Sequence, residues 1–488
     1  MTASLWSWRS DSAIQKLFEN KFCSQIVKFA MVCMLNETAI SGVKELRATN
    51  HSLVKCDVLK VGNEKVYLYN GDLMWTSQQR AVIFASFYAG GLVATLVTEV
   101  ILNRWMGAKR LVLYGAIINV VGTFATPTVA SYFGAVPLVM LRFIMGFGQG
   151  LLWPCMSVLV GHWFPPTEKS TALAIATTGN QLSVVIAMFA TAELCQIPFM
   201  GGWPMAFHTY GVLGVMLCVV WQVFVADDPA KARGITDEEL QIITSASGRR
   251  PPNWVQLLTS PVVWSIAGSA FAHNFITVGT VTYLPLYYKT VLNMSLTSNG
   301  ILSALPFICQ FVSKIIYAGF ADESKKRKWM GFTNVTKACN TSASLGLALC
   351  FGLLCFCDCT YRWTAVVLVC LAMAFVSGYV PGYNTSVVSI APSQTAAIAS
   401  FSRIWAQIAS SIAPYEIGAL TKQGILEEWR VVFLTIVIIC ITTGAFFQIS
   451  GSADVQSWDT IRDEEPKQEL IEDKPQNNDS KPINPAIA

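Results

Sequence analysis

One arginine stands inside a strongly apolar stretch of the chain. Arg142 lies within the run Leu138–Leu152, which also contains Gly146, Gly148 and Gly150. A charged side chain inside a membrane span costs about 2.5–3.5 kcal/mol on insertion scales, so it usually faces a protein interior or a water-filled cavity. A guanidinium there binds a carboxylate or phosphate through two hydrogen bonds. The pattern predicts an anion site, with a structural arginine bound to helix-end carbonyls as the alternative.

The three glycines predict close helix packing. Their Gly-x-Gly-x-Gly spacing resembles part of a dinucleotide-binding loop, but such a loop follows a β-strand, whereas these glycines lie within an apolar helix. Small residues allow the backbones of membrane helices to approach each other. We therefore expect a neighbouring helix to lie against this face.

Further polar groups fall within apolar segments. His273 lies in the middle of one segment, where it could bind substrate or carry a proton, and a hydrogen-bonded core histidine is equally consistent. Gln149, Asn180 and Gln181 could contact substrate, although bridging between helices is the more ordinary role. Lys28, Glu99, Lys314 and Arg403 lie within or at the ends of predicted spans, and Lys314 and Arg403 could line a cavity. The candidate substrate-binding residues are Arg142, His273, Arg403 and Gln149.

The composition indicates what must position these groups. The chain has 488 residues, of which 53% are hydrophobic and 13% charged, and its mean hydropathy is +0.47. A soluble protein cannot bury so much apolar surface, whereas helices in lipid satisfy their backbone groups internally. The net charge of +4 is spread between apolar runs, which argues against a nucleic-acid partner. We therefore predict an all-α integral membrane protein in contact with the lipid bilayer.

About 20 apolar residues are needed to cross a bilayer, and eleven segments are long enough. They are residues 81–102, 111–130, 135–160, 171–192, 203–225, 262–291, 298–320, 339–356, 363–388, 395–418 and 431–450. A twelfth candidate, residues 22–35, is short and contains Lys28, so its hydropathy supports it least.

Basic residues orient the predicted bundle. Lys and Arg near span ends stay on the cytoplasmic side, which places the turns around Lys109 and Lys326 there. Two six-helix halves follow, with a weak internal repeat in these two turns. The predicted divisions are a cytoplasmic N-terminus at 1–21, an N-terminal half at 22–225 with an exterior loop at 41–74, a cytoplasmic linker at 226–260, a C-terminal half at 261–450 and a disordered cytoplasmic tail at 451–488.

The cysteines and the glycosylation sequons indicate which covalent modifications to expect. The 14 cysteines lie mostly in apolar segments, where thiols pack as small hydrophobes, so we expect neither a disulfide nor a metal site, even in the group Cys350, Cys355, Cys357 and Cys359. No cofactor is predicted. Asn50 in the exterior loop and Asn36 at its membrane edge are the candidate glycosylation sites.

Several motifs resemble one family. Arg142-Phe-Ile-Met-Gly-Phe-Gly-Gln-Gly150, Trp153-Pro154 and Trp163-Phe-Pro-Pro-Thr-Glu-Lys-Ser170 resemble the fourth helix and following loop of major facilitators, more narrowly those of the solute carrier family 17 anion transporters. That group includes sodium–phosphate cotransporters, sialin and vesicular glutamate transporters. The resemblance covers roughly residues 75–450 and implies the major facilitator fold of twelve transmembrane helices and alternating access.

The resemblance also assigns roles. Arg142 matches the family's fourth-helix arginine for anionic substrates. Gln149 stands where the sialin and glutamate branches have a proton-sensing glutamate, and His273 stands where the glutamate branch has a second substrate arginine. Ser389 and Asn103 replace family acids, and Arg403 replaces a usual asparagine, so the chain is identified as a divergent member.

These observations predict a secondary active transporter rather than an enzyme. The expected partner is a small organic or inorganic anion, with Na+, H+ or the membrane potential as the coupling force. We expect a monomer in the plasma membrane or in a vesicle or lysosome membrane. A receptor or sensor on a transporter fold is the alternative. A membrane enzyme would need clustered histidines or acids, which the sequence lacks.

Overall fold

The structure is a computed structural model in which α-helices are the main element. It describes Leu73 and residues 75–104, 106–163, 183–187, 189–191, 193–195, 197, 203–225, 254–292, 294, 296–391 and 394–460. The helices with bounds in these residues are α1 (Ser77–Arg104), α2 (Ala108–Thr128), α3 (Ala135–Trp163), α4 (Trp203–Phe224), α5 (Trp254–Thr259), α6 (Pro261–Thr290), α7 (Leu296–Lys326), α8 (Phe332–Leu354), α9 (Arg362–Val376), α10 (Tyr383–Ser389), α11 (Thr395–Leu420), α12 (Leu426–Ser450) and α13 (Ser457–Thr460).

Most predicted spans that fall on described residues coincide with long helices. Among the described residues, nine stretches are helical, long and apolar enough to cross a membrane. α11 is long enough but is not one of the nine, because it carries Arg403, Glu416 and several serines. Several predicted features lie outside the described residues. They are the span 22–35, much of the span 171–192, the loop 41–74 apart from Leu73, and the sequon residues Asn36 and Asn50. Most of the linker 226–260 and the tail beyond residue 460 also lie outside them.

The glycines of α3 bring two neighbouring helices into backbone contact, as the sequence predicts. A Cβ on Gly146 would overlap the Phe87 carbonyl oxygen of α1, and one on Gly148 would lie 2.8 Å from the Gly115 carbonyl oxygen of α2. Successive glycines therefore serve different partners: the first faces α1 and the second faces α2. The three helices are packed at distances that any larger residue would prevent.

The predicted span 363–388 lies within one of the nine membrane-crossing stretches, Cys359–Ser389, but its helix is interrupted. α9 ends at Val376, a 3-10 turn covers Ser377–Tyr379, and α10 begins only at Tyr383. Pro381 lies in the interruption, where its missing N–H and its ring prevent a regular helix from continuing. Gly378 lies so close to α8 that an added Cβ would stand 2.8 Å from the Cys339 carbonyl oxygen. The interruption places Tyr379 and Tyr383 in the interior of the bundle.

The two predicted halves meet at the ends of α1 and α11 that the sequence assigns to the exterior. A Cβ on Gly418 would lie 2.5 Å from the Ala81 Cβ, so the two helices nearly touch there. The Tyr283 hydroxyl of α6 donates a hydrogen bond to the Pro414 carbonyl oxygen at 2.9 Å, and its ring packs edge-on against Phe84 at 5.9 Å. We call this set of residues the exterior contact.

The expectation that the clustered cysteines are all free thiols is wrong at one position. Cys359 is disulfide-bonded, whereas Cys350, Cys355 and Cys357 are free thiols. Cys359 begins the 3-10 turn after α8, beyond the apolar core of the span. Sequence spacing alone gave no indication of it, because disulfide pairing depends on distances between remote segments. No group of metal-binding side chains is found among the described residues.

Candidate functional site

A small cavity of about 50 Å³ lies between the two predicted halves. The side chains around it are contributed by α1 and α3 from one half and by α6 and α11 from the other. They are Phe87, Tyr88, Gly91, Thr95, Gly146, Gln149, Gly150, Pro154, Asn274, Val278, Arg403, Gln407 and Ser410. The walls combine aromatic, amide, hydroxyl and guanidinium groups, which suits a small polar solute.

Gln149 and Arg403 line this cavity together, one from each half. Arg403 belongs to a polar stripe on α11, because Gln407 and Ser410 follow it at one and two helical turns and line the same cavity. The Gln407 amide lies against the backbone of Gly91 on α1, so the stripe reaches across to the other half. The structure therefore brings together two of the four sequence candidates.

Arg142 lies beside the cavity rather than on its wall. It is 1% exposed, and its guanidinium carbon stands 4.6 Å from the centre of the Phe87 ring. Phe87 itself lines the cavity. Arg142 precedes Gln149 by two helical turns, about 10 Å along α3 towards the predicted exterior end.

His273 lies next to the cavity-lining Asn274 and contacts the interrupted helix. Its Nδ1 atom is 2.9 Å from the Tyr383 hydroxyl, and its ring stacks on Tyr379 with the centroids 5.3 Å apart. The Tyr379 hydroxyl is 3.2 Å from Ser344 Oγ of α8. The fourth candidate is thus held by two tyrosines and lies one residue before the cavity-lining Asn274.

Other residues that the sequence singled out lie elsewhere. The Ser389 hydroxyl donates to the Thr385 carbonyl oxygen within α10. Lys314 lies on α7 and is not among the residues that line the cavity. The side chains of Asn103, Glu99, Asn180 and Gln181 are outside the described part of the chain.

A larger groove of about 390 Å³ lies on the outer surface between α2 and α4. It is lined by Ile117, Val120, Val121, Val215, Cys218, Val219, Gln222 and Val223. Most of these side chains are apolar, and Val121 and Val223 are more than half exposed. Such a surface suits contact with lipid rather than binding of an anion.

Sequence reasoning missed the aromatic part of the site. Its aromatic residues have the same apolar sequence context as lipid-facing ones, and neighbouring residues do not indicate which aromatic side chain faces the interior. They are Phe87, Tyr88, Tyr379 and Tyr383. The polar stripe on α11 could have been found, because Arg403, Gln407 and Ser410 recur at helical spacing. The contact of His273 with Tyr383 joins residues 110 positions apart, so spacing could not show it.

The chain belongs to the Major Facilitator Superfamily, because the profile of that superfamily matches residues 65–414. Its curated relatives are members of solute carrier family 17 at modest identity. The uncharacterized transporter slc-17.3 of Caenorhabditis elegans is 27% identical over 475 residues, which cover 91% of this chain and 88% of the relative. Human sialin is 27% identical, covering 79% of this chain and 77% of sialin. Sodium-dependent phosphate transport protein 3 of Mus musculus is 28% identical, covering 79% and 80%.

Solved structures share the fold. A D-xylose-proton symporter superposes with a TM-score of 0.66 at 12% identity, covering 92% of this chain and 98% of that structure. A bacterial homologue of the human lysosomal transporter Spinster, in an inward-facing and occupied conformation, has a TM-score of 0.61 at 13% identity, covering 91% and 97%. The major facilitator fold and the resemblance to solute carrier family 17 are therefore confirmed. The protein is a multi-pass membrane protein, and its family and fold are those of transporters rather than enzymes.

Proposed function

We propose that this transporter moves a small organic or inorganic anion across the membrane by alternating access. The observation that carries the proposal is the cavity between the two halves, which is lined by the charged Arg403 and the neutral amide of Gln149. Because the lining helices come from both halves, a solute bound there contacts both bodies that must move.

The charge of the site favours an anion. Arg142 lies beside the cavity and Arg403 lines it. A guanidinium group can donate two hydrogen bonds to the oxygens of one carboxylate or phosphate. One relative is a sodium-dependent phosphate transport protein by name, which supports the same class of solute. Arg142 is proposed as the anion anchor, with Arg403, Gln149 and His273 as the other binding residues.

The experiment is uptake into proteoliposomes across a panel of phosphate, sialate, aspartate, glutamate and urate, under imposed sodium, proton and voltage gradients. We expect saturable, concentrative uptake of at least one anion under one of these gradients. Arg142→Ala and Arg403→Ala should each raise the half-saturating concentration about tenfold to a hundredfold, as expected for loss of a charge-assisted contact.

The matched control is Arg110→Ala, which removes an exposed arginine at the start of α2 and should leave uptake unchanged. If Arg142→Ala and Arg403→Ala transport every anion as wild type does, the site assignment is wrong. Saturable binding of an anion without net flux would instead favour a receptor or sensor on the transporter fold.

A further inference from the structure

His273 differs from the other polar groups near the cavity in its chemistry. Gln149, Gln407 and Asn274 line the cavity and do not titrate, and Arg403 stays charged at any physiological pH. Imidazole is the side chain whose ordinary pKa lies within the physiological range. Any response of this site to protons near neutral pH is therefore expected at His273.

Groups from several elements surround His273. The Tyr383 hydroxyl is hydrogen-bonded to it, and the Tyr379 ring is stacked on it. An electrostatic interaction also connects Tyr383 with Arg403. Two titratable groups contact His273 directly: Tyr379 of the 3-10 turn and Tyr383 of α10. Further groups interact with these neighbours: Arg403 of α11 with Tyr383, Cys440 of α12 with Tyr379, and Tyr88 of α1 with Arg403.

The hydrogen bond between His273 and Tyr383 must reverse when the imidazole gains a proton. In the neutral ring with its proton on Nε2, Nδ1 accepts a hydrogen bond from the Tyr383 hydroxyl. When Nδ1 binds a proton, its N–H donates to the Tyr383 oxygen instead. The hydroxyl hydrogen of Tyr383 is then free to turn towards another acceptor, and a second positive charge stands near Arg403.

We propose that His273 is the proton-coupling residue of this transporter and that Tyr383 links its protonation to anion binding at Arg403. The inference rests on the proposed function and adds the coupling ion to it. One proton binds to Nδ1 from the compartment that supplies the anion, and the same proton leaves Nδ1 on the other side after the anion has dissociated. Only this N–H bond forms and breaks, so the cycle is a symport of one proton with one anion.

The test compares two replacements that fix the charge of His273. His273→Gln keeps a hydrogen-bonding side chain without a titrating proton, and His273→Arg keeps a permanent positive charge. Uptake of phosphate, sialate, aspartate, glutamate and urate is measured between about pH 5 and pH 8, the range over which imidazole changes charge. The full-length protein is used in proteoliposomes, and each anion that enters with wild type is measured with every variant.

We expect the half-saturating anion concentration of wild type to rise roughly tenfold from the acid to the alkaline end of this range. His273→Gln should show the high alkaline value at every pH, and an imposed proton gradient should no longer concentrate the anion. His273→Arg should also lose the pH dependence, but with a low half-saturating anion concentration at every pH. Tyr383→Phe should also flatten the profile. His208→Gln is the matched control, since His208 lies on α4 beside Phe124, and it should keep the wild-type profile.

The outcomes separate the two proposals. Absence of flux with wild type for every anion, at every pH, contradicts the proposed function and the inference with it. Anion flux with a pH profile that persists in His273→Gln leaves the proposed function intact and overturns the role of His273. If His273→Gln is inactive, His273→Arg decides: pH-independent uptake supports the proposal, and pH-dependent uptake or none overturns it.

Discussion

At the scale of single residues, Gln149 and Arg403 define the character of the site because they face one cavity from opposite halves. A neutral amide leaves the arginine charge available to a bound anion. A carboxylate at the same position would compete with that anion and repel it.

Gln149→Glu should therefore abolish most anion uptake at neutral pH. The ratio of variant to wild-type uptake should recover as the medium is acidified towards the ordinary glutamate pKa of about 4.3, because protonation removes the competing charge. The measurement is initial uptake against pH in proteoliposomes. Gln222→Glu, in the outer groove near Lys109, serves as the control. Equal uptake by Gln149→Glu and wild type at neutral pH would show that residue 149 does not face the anion.

The sequence singled out polar residues in and beside the cavity but not the aromatic residues around them. Arg142, Gln149, His273 and Arg403 stand out because polar groups are costly in an apolar helix. Their separation into cavity-lining residues and residues beside the cavity depends on helix rotation and on Phe87, which one sequence does not specify. The positions of Tyr379 and Tyr383 around His273 depend on the interruption between α9 and α10.

At the scale of elements, glycines set the distances between helices. Most span boundaries could be predicted from hydropathy, and the packing of α3 against α1 and α2 could be predicted from Gly146 and Gly148. The interruption at Pro381 was missed, because an apolar run of that length is ordinary for one continuous span. Proline and glycine within a span are tolerated when neighbouring helices satisfy the freed backbone groups.

Gly418→Leu should open the exterior contact. A side chain at this position would overlap Ala81 and the Tyr283 hydroxyl, so the ends of α1 and α11 could no longer meet. We expect slower anion uptake and faster labelling of a cysteine placed at Phe84 by a membrane-impermeant thiol reagent from the predicted exterior.

Gly319→Leu is the matched control, because nothing lies within 4 Å of a Cβ added at Gly319 on α7. It should change neither uptake nor labelling. Unchanged labelling in Gly418→Leu would mean that the exterior contact does not control access to the site.

At the scale of the whole molecule, the Cys359 disulfide raises the question of its partner. The described cysteines other than Cys359 are free thiols, so we expect its partner among Cys23, Cys33 and Cys56. Of Cys23, Cys33 and Cys56, only Cys56 belongs to the predicted exterior loop 41–74. Burial raises the pKa of the nearby Cys357 thiol, so little thiolate is present there to exchange with the disulfide.

Peptide mapping under non-reducing conditions should therefore find Cys359 joined to Cys56. Cys359→Ser and Cys56→Ser should each lower the thermal midpoint by a similar amount, and the double variant should lower it no further, because both remove one bond. Additive losses, or a Cys359 peptide that is alkylated without reduction, would contradict the pairing.

The exterior contact also determines how an inhibitor would act. In this conformation the Tyr283 hydroxyl donates a hydrogen bond to the Pro414 carbonyl oxygen, and the predicted exterior ends of α1 and α11 lie against each other. A compound that binds this conformation from the predicted cytoplasmic side would increase the fraction of transporters held in it. Fewer transporters would then be available for alternating access. It would reduce the maximal rate of uptake rather than compete with solute outside. Drug design against this fold would therefore gain most from targets on the side opposite to the arriving anion.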